Sequence, residues 1–405
     1  MKLKDVFTLY TKSVTPTADK KYHLYSLPAF DNNQKREEVG GTEILSNKFS
    51  VPNKCILFNK LNVRFKRVWV VSNEDENKLA STEFFPLVVN EDKIDFLYAY
   101  YLLTSDFVTN FLSEQHSNTS QSHKRIDSDL LFSIDVELPP MKVQKAIGKF
   151  LNDLDSKITL NREINRNLEA MARQLYDYWF VQFDFPDENG HPYKSSGGKM
   201  VWNERLKREI PEGWYCGTLL DIAEYTNGLA CQKYRPTDEN KLPVIKIKEM
   251  HDGISPDTEW VKAEIPENVK VYDGDVLFSW SASLEVMLWA NGNGGLNQHI
   301  FKVTSKNGYP RSFCFYQLKH YIGVFKQMAE ARKTTMGHIT QDHLKQSAIT
   351  LPSNIDIANK LEEKLCPILD AIVKNNQEIS ILTKQRDELL PLLMNNQVNC
   401  DLSLD

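Results

Sequence analysis

The chain has 405 residues and a net charge of −5; 41% of its residues are hydrophobic and 11% aromatic. That length exceeds one ordinary core and suits two or three domains, and that apolar content excludes a disordered tail. The acidic total argues mildly against a small basic DNA-binding module, although local charge decides more than the sum.

The opening segment, Met1 to Ser13, lacks the apolar core of a signal peptide, and no apolar run approaches the roughly 20 residues of a membrane helix. A cytoplasmic protein is expected. Cys55, Cys216, Cys231, Cys314, Cys366 and Cys400 stand far apart with no C-x-x-C pair, which points to reduced thiols and not to a zinc site or a disulfide framework.

Short runs rich in β-branched and aromatic residues predict strands at Lys54 to Phe58, Arg67 to Val71 and Phe84 to Val89. A helix is predicted over Ile94 to Leu112. After Leu138-Pro139 begins a heptad pattern: Ile147, Leu151, Leu154, Ile158, Asn161. It then slips by one step and resumes at Ile164, Leu168, Met171, Leu175 and Tyr178. A slip of this kind locally overwinds a coiled coil. Residues 185–211, with Pro186, Gly190, Pro192, Gly197 and Gly198, read as a turn-rich linker. The second half predicts strands at Leu242 to Lys248, Asp275 to Trp280 and His299 to Val303, and a helix at Arg311 to Ala331. A heptad seam follows at Leu361, Leu365, Ile368, Ile372, Asn375, Ile379, Leu382, Arg386, Leu389 and Leu393, with Asn375 and Arg386 as polar interruptions.

The two halves repeat one another. Leu3-Lys-Asp-Val pairs with Leu219-Leu-Asp-Ile, and Val51-Pro-Asn-Lys-Cys-Ile-Leu-Phe with Val271-Tyr-Asp-Gly-Asp-Val-Leu-Phe. Arg125-Ile-Asp-Ser-Asp-Leu pairs with His338-Ile-Thr-Gln-Asp-His-Leu, Leu138-Pro139 with Leu351-Pro352, and Asp155 to Ile164 with Asp370 to Ile379. The offsets run from 213 to 220 residues in constant order. So long a period is a duplicated unit and not a solenoid repeat. The expected fold class is α+β: two globular mixed α/β domains joined by two long antiparallel coiled-coil helices in a pseudo-twofold repeat. The expected bounds are 1–140, 141–184 for the first helix, 185–211 for the linker, 212–353, and 354–397 for the second helix.

No catalytic constellation emerges. The P-loop, the dinucleotide fingerprint, the zinc-protease and zinc-deaminase motifs and the Asn/Asp-Pro-Pro-Tyr/Phe methyltransferase motif are all missing. Between Asn53 and Asn73, by contrast, stand Lys54, Lys60, Arg64, Lys66 and Arg67 with no acidic residue, interleaved with Asn59, Asn62 and Trp69. Arg and Asn suit bidentate contacts to base edges, and Lys neutralises phosphate. Two polar segments in repeat-equivalent positions add candidates. The first contributes Ser122, Lys124 and Arg125; the second contributes Arg332, Lys333, Thr334, Thr335 and His338. A solvated basic strand is the competing reading of the first stretch.

Globular part, helix, linker, globular part, helix: this order resembles the specificity subunits of type I restriction-modification systems. Ile210-Pro-Glu-Gly-Trp followed by Gly217-Thr-Leu-Leu-Asp-Ile-Ala-Glu is similar to the entry of a target-recognition domain. Leu242-Pro-Val-Ile-Lys-Ile-Lys-Glu, Gly274-Asp-Val-Leu-Phe-Ser-Trp-Ser and Leu296-Asn-Gln-His-Ile-Phe-Lys-Val resemble strings of that domain. Asn161 to Tyr176 with Trp179-Phe180 resembles the central helix of the family. The resemblance implies a non-catalytic subunit whose two domains each read half of a bipartite site in double-stranded DNA. It implies that the helices bind modification (methyltransferase) subunits, with Asn161, Asn165, Leu168, Met171, Leu175, Trp179, Ile379, Leu382 and Leu389 as contact candidates. A restriction/translocase subunit would join them. No cofactor or metal is expected on this chain; S-adenosylmethionine, ATP and magnesium would belong to the partners. Two other readings are a specificity module of another methylation-based defence system and a protein-only coiled-coil scaffold.

Overall fold

A computed structural model describes residues 1–32, 34–115, 125–281, 283–331 and 339–395, with backbone alone for 329–331. The chain divides into two compact units, Met1–Lys157 together with the segment from Leu382 onward, and Ile158–Ile381. The units do not end where the helices begin: each long helix contributes one part to each unit.

In the first unit, Lys54–Asn59 is one of the two inner strands of a four-stranded sheet, between Phe84–Val89 and Val68–Ser72, with Phe7–Leu9 at the far edge. Ile56 and Phe58 point into one apolar cluster with Leu3, Leu87 and Tyr98, whereas Cys55 and Leu57 point into another with Tyr25, Trp69 and Phe84. Burial on both faces explains why this strand reads as a continuous apolar run without alternation. A five-stranded sheet stands beside it, in which Lys21–Tyr25 and Lys78–Ala80 pair in parallel.

The second unit repeats this topology. Val276–Ser279 lies between Glu285–Leu288 and Ile300–Ser305, with Ala223–Asn227 at the far edge. Lys241–Ile245 runs parallel to Gly294–Leu296, as Lys21–Tyr25 does to Lys78–Ala80. The register is preserved too: Ile56 faces Leu87 in the first unit, and Val276 faces Val303 in the second. The duplication inferred from loose strings is therefore a duplication of strand order and register.

Three expectations for the globular parts and the linker change. The helix over Ile94 to Leu112 is broken at Ser105 into Phe96–Thr104 and Asp106–Glu114. Ser105 is extended, and its hydroxyl donates to Leu102 O at 2.7 Å and accepts from Val108 N, so it ends one helix and caps the next. The tail of the predicted strand Leu242 to Lys248 turns helical at Ile247–Asp252. The linker at 185–211 is not slack. Phe185 stacks on Tyr193 and Trp214, Phe183 meets Trp214 edge-on, and Met200–Asn203 with Arg208–Pro211 forms a hairpin. These aromatics join the core of the second unit, so apolar burial orders a stretch whose Gly and Pro content suggests a tether.

The long helices, Met141–Tyr176 and Asp356–Met394, pair antiparallel within each unit. In the second unit Asn161 Nδ2 donates to Glu378 Oε2 at 2.8 Å; one turn on, Asn165 Nδ2 donates to Asn376 Oδ1 at 2.7 Å, and Asn375 Nδ2 donates to Asn165 Oδ1 at 2.8 Å. In the first unit Arg386 Nη1 donates to Asp155 Oδ1 at 2.8 Å, and Tyr101 donates its hydroxyl to Asp155 Oδ2 at 2.7 Å. Burial raises the Tyr101 phenol far above its ordinary range, with the Asp155 charge as a second cause, so it stays a donor. The two polar interruptions of the distal seam each meet a polar residue across the pair.

The predicted slip of the first seam does not occur. The face turned inward runs Ile147, Leu151, Leu154, Ile158, Asn161, Asn165, Leu168, Ala172, Leu175 and Trp179 in unbroken steps of four and three. Ile164, Met171 and Tyr178 lie on a different, exposed face. Asn165 and Ala172 hide the true seam from an apolar search, while the second stripe mimics its continuation.

Candidate nucleic-acid interface

The basic stretch of the first unit leaves the sheet at Asn59. That side chain is buried; its Nδ2 donates to Leu61 O and its Oδ1 accepts from Leu61 N at 2.9 Å, which folds the chain into a tight loop. Asn62 takes a left-handed backbone conformation with φ of 51°. The loop closes where Asn59 N donates to Arg67 O. Within it Phe65 is 49% exposed, and the Arg64 and Arg67 guanidiniums lie 5.0 and 5.1 Å from its ring centroid. Arg125 is drawn to the same edge by a bridge to Leu61. Lys60, Asn62, Arg64, Lys66, Arg67 and Arg125 thus come together.

The fold also brings carboxylates that the linear stretch lacks. Arg67 Nε and Nη2 donate to Asp31 at 2.7 and 2.8 Å, Lys66 Nζ donates to Asp106 at 2.6 Å, and Arg125 forks onto Glu83 at 2.9–3.1 Å. The Glu83 carboxylate raises the Arg125 pKa further above its usual value. Cations still outnumber carboxylates at this edge, but docking on phosphate must exchange these ion pairs. Lys54 is not part of the cluster. It sits at the opposite end of its strand, paired with Glu91 and 4.7 Å from the Phe96 ring centroid. Trp69 is core, edge-on to Tyr25 and Phe30. Ser122, Lys124, Arg332, Lys333, Thr334, Thr335 and His338 lie outside the described residues.

The partner-contact candidates separate by exposure. Asn161, Asn165 and Trp179 are buried in the chain's own interior, with the two amides spent across the helix pair, so their side chains face no partner. Leu168, Leu175, Ile379, Leu382 and Leu389 are half-buried, and Leu389 packs on the first unit's core. Met171 is 52% exposed. With Leu160, Ile164 and Tyr178 it makes an outward apolar stripe at helical spacing in the second unit; of the four, Met171 alone is among the partner-contact candidates, while the sequence places Ile164 and Tyr178 with it in the seam.

Among the described residues no group of His, Cys, Asp and Glu is placed to hold a metal ion, and no helix is long and apolar enough to cross a membrane. Burial pushes the Cys55 and Cys314 thiols up to about 12, which keeps both protonated at neutral pH.

With this geometry in hand, the sequence matches the family model for the type I restriction modification DNA specificity domain twice, over residues 1–170 and 211–385. The chain belongs to that family. The two matched stretches correspond to the two repeats. Among similar curated proteins, a type I restriction enzyme MjaIX specificity subunit from Methanocaldococcus jannaschii is 23% identical over 79% of this chain and 73% of that protein. A type I restriction enzyme HindI specificity subunit from Haemophilus influenzae is 23% identical over 87% of this chain and 88% of that protein. The fold is shared with the S subunit of a type I restriction-modification system from M. genitalium, at a TM-score of 0.61 and 14% identity over 97% of this chain and 95% of that one.

Proposed function

We propose that this chain is the sequence-specific DNA-binding subunit of a type I restriction-modification complex. Each globular unit reads one half of a bipartite duplex target, and partner subunits methylate adenine or cleave. The observation that carries the reading is the double family match laid over two units that share the strand order and register of their four-stranded sheet. The cationic edge around Arg64 and Arg125 supports contact with a phosphate backbone in the first unit. The outward stripe Leu160, Ile164, Met171 and Tyr178 offers a modification subunit an apolar helix face. S-adenosylmethionine, ATP and magnesium act on the partner subunits, a restriction/translocase subunit joins for cleavage, and the complex works in the cytoplasm. The test is to purify the chain with a modification subunit, add S-adenosylmethionine and DNA, and map methylated adenines. A two-part asymmetric target is expected with the pair and no transfer with the chain alone. Methyl transfer by the isolated chain, or methylation without sequence preference, would overturn the proposal.

A further inference from the structure

Backbone hydrogen bonds define one site that both units build at the exit of the same strand. In the first unit Lys60 N donates to Glu83 O at 2.9 Å, and Ile126 N donates to Lys60 O at 3.0 Å. In the second, Trp280 N donates to His299 O at 3.4 Å, and Ile339 N donates to Trp280 O at 3.1 Å. Lys60 therefore corresponds to Trp280, Glu83 to His299, and Ile126 to Ile339. The floor corresponds as well: Lys60 Nζ lies 5.7 Å from the Phe85 ring centroid, and the Trp280 ring lies 5.8 Å from that of Phe301.

The scaffold is the same but the chemistry presented on it is not. The first copy carries Lys60 and Glu83, both ionic, with Arg125, whose repeat counterpart lies outside the described residues, forked onto Glu83. The second carries an indole, an imidazole and amides. The Trp280 and His299 rings are 5.8 Å apart, Trp280 Nε1 donates to Asn227 Oδ1 at 3.2 Å, and Gln298 Nε2 lies 3.3 Å from His299 Nε2. The support under this second copy is stiff. Leu229 N donates to Leu296 O, Gln298 N donates to Leu229 O, and Gly228 N donates to Ile300 O. Gly228 fits because a Cβ there would stand 2.2 Å from Asn297 O. His299 remains exposed and Gln298 half-exposed on this rigid base.

We infer that this repeated strand-exit site is where each unit reads a base pair of its half-site, and that the two copies select opposite pairs. Lys60 and Arg125 match the O6 and N7 acceptors of guanine, and Glu83 accepts from the N4 amino group of cytosine, so the first copy selects G·C. The Gln298 amide matches N6 and N7 of adenine, and the Trp280 and His299 ring faces suit the thymine methyl, so the second selects A·T. Duplicated folds reading unlike half-sites need unlike side chains at equivalent positions, and this is such a position. The inference rests on the DNA-reading role proposed above.

The test uses the complex of this chain with its modification subunit and adenine-resolved methylation mapping. Trp280 packs on Phe301, so Gln298→Ala and the exposed His299→Ala carry the second-unit arm, and Glu83→Gln carries the first. Gln298→Ala or His299→Ala is expected to relax discrimination about tenfold or more at one A·T position of one half-site. It should leave the other half-site and the salt dependence of DNA binding unchanged, as expected for contacts that neutralise no phosphate. Glu83→Gln is expected to relax one G·C position in the other half-site. If the unaltered complex shows no sequence preference, the DNA-reading role itself fails. If it methylates a bipartite target that all three variants read unchanged, the role stands and this site assignment is overturned. Relaxation at a G·C position by the second-unit variants overturns the assignment as well.

Discussion

Arg386→Met separates two accounts of the helix pair by the sign of its effect. A heptad rule applied to the sequence treats Arg386 as a flaw, and methionine would repair it. The structure demands a loss. Arg386 Nη1 and Asp155 Oδ1 are 2.8 Å apart, with side chains 29% and 28% exposed. A charge-assisted hydrogen bond contributes about 1.5–3 kcal/mol, and residual solvent access with the Tyr101 bond retained sets this one at about 2 kcal/mol. Methionine returns under about 1 kcal/mol, since the arginine stem already covers apolar surface. The net expectation is destabilisation of the first unit by about 1–2 kcal/mol. A chain of two units need not unfold in one step, so native-state hydrogen exchange of the helix amides near Asp155 is the suitable assay. The cycle with Asp155→Asn should show coupling of at least about 0.5 kcal/mol. A gain in stability from Arg386→Met, or single effects that add within about 0.3 kcal/mol, would refute the polar-lock argument.

Other outcomes follow from the same geometry. Arg64→Ala should weaken DNA binding and lower the slope of log affinity against log salt by about one; an unchanged slope returns Arg64 to a solvated role. Met171→Glu with Ile164→Glu should abolish co-purification with the modification subunit while leaving the thermal midpoint within about 2 °C, because both side chains are exposed and surface changes are nearly neutral. Retained association would remove the stripe from the interface. Matched heptads inserted after Leu168 and after Ile372 add about 10 Å to each helix, close to three base pairs at roughly 3.4 Å each. Methylation mapping should then find a spacer longer by two to four base pairs, and an unaltered spacer would mean helix length does not set it.

The sequence by itself determined what depends on local period and on repetition: the duplicated unit, the strands read at Lys54 to Phe58 and Asp275 to Trp280, and the distal heptad seam including its interruptions at Asn375 and Arg386. Side-chain periodicity is a property of neighbouring residues, so a linear reading recovers it. Tertiary structure decided what depends on partners distant in the chain. It supplied Asp31, Asp106 and Glu83 to a stretch that reads as purely basic, and Asn375, Asn376 and Asp155 to polar residues that read as flaws or surface contacts. It carried the first seam through Asn165 and Ala172, where an apolar search had turned aside to Ile164 and Met171. It also matched Glu83 with His299, two residues with no chemical likeness, because equivalence there is written in backbone hydrogen bonds. Ionic and amide pairing costs little sequence signal because either partner alone resembles an ordinary surface residue; only proximity in the folded chain tells a satisfied polar group from an exposed one.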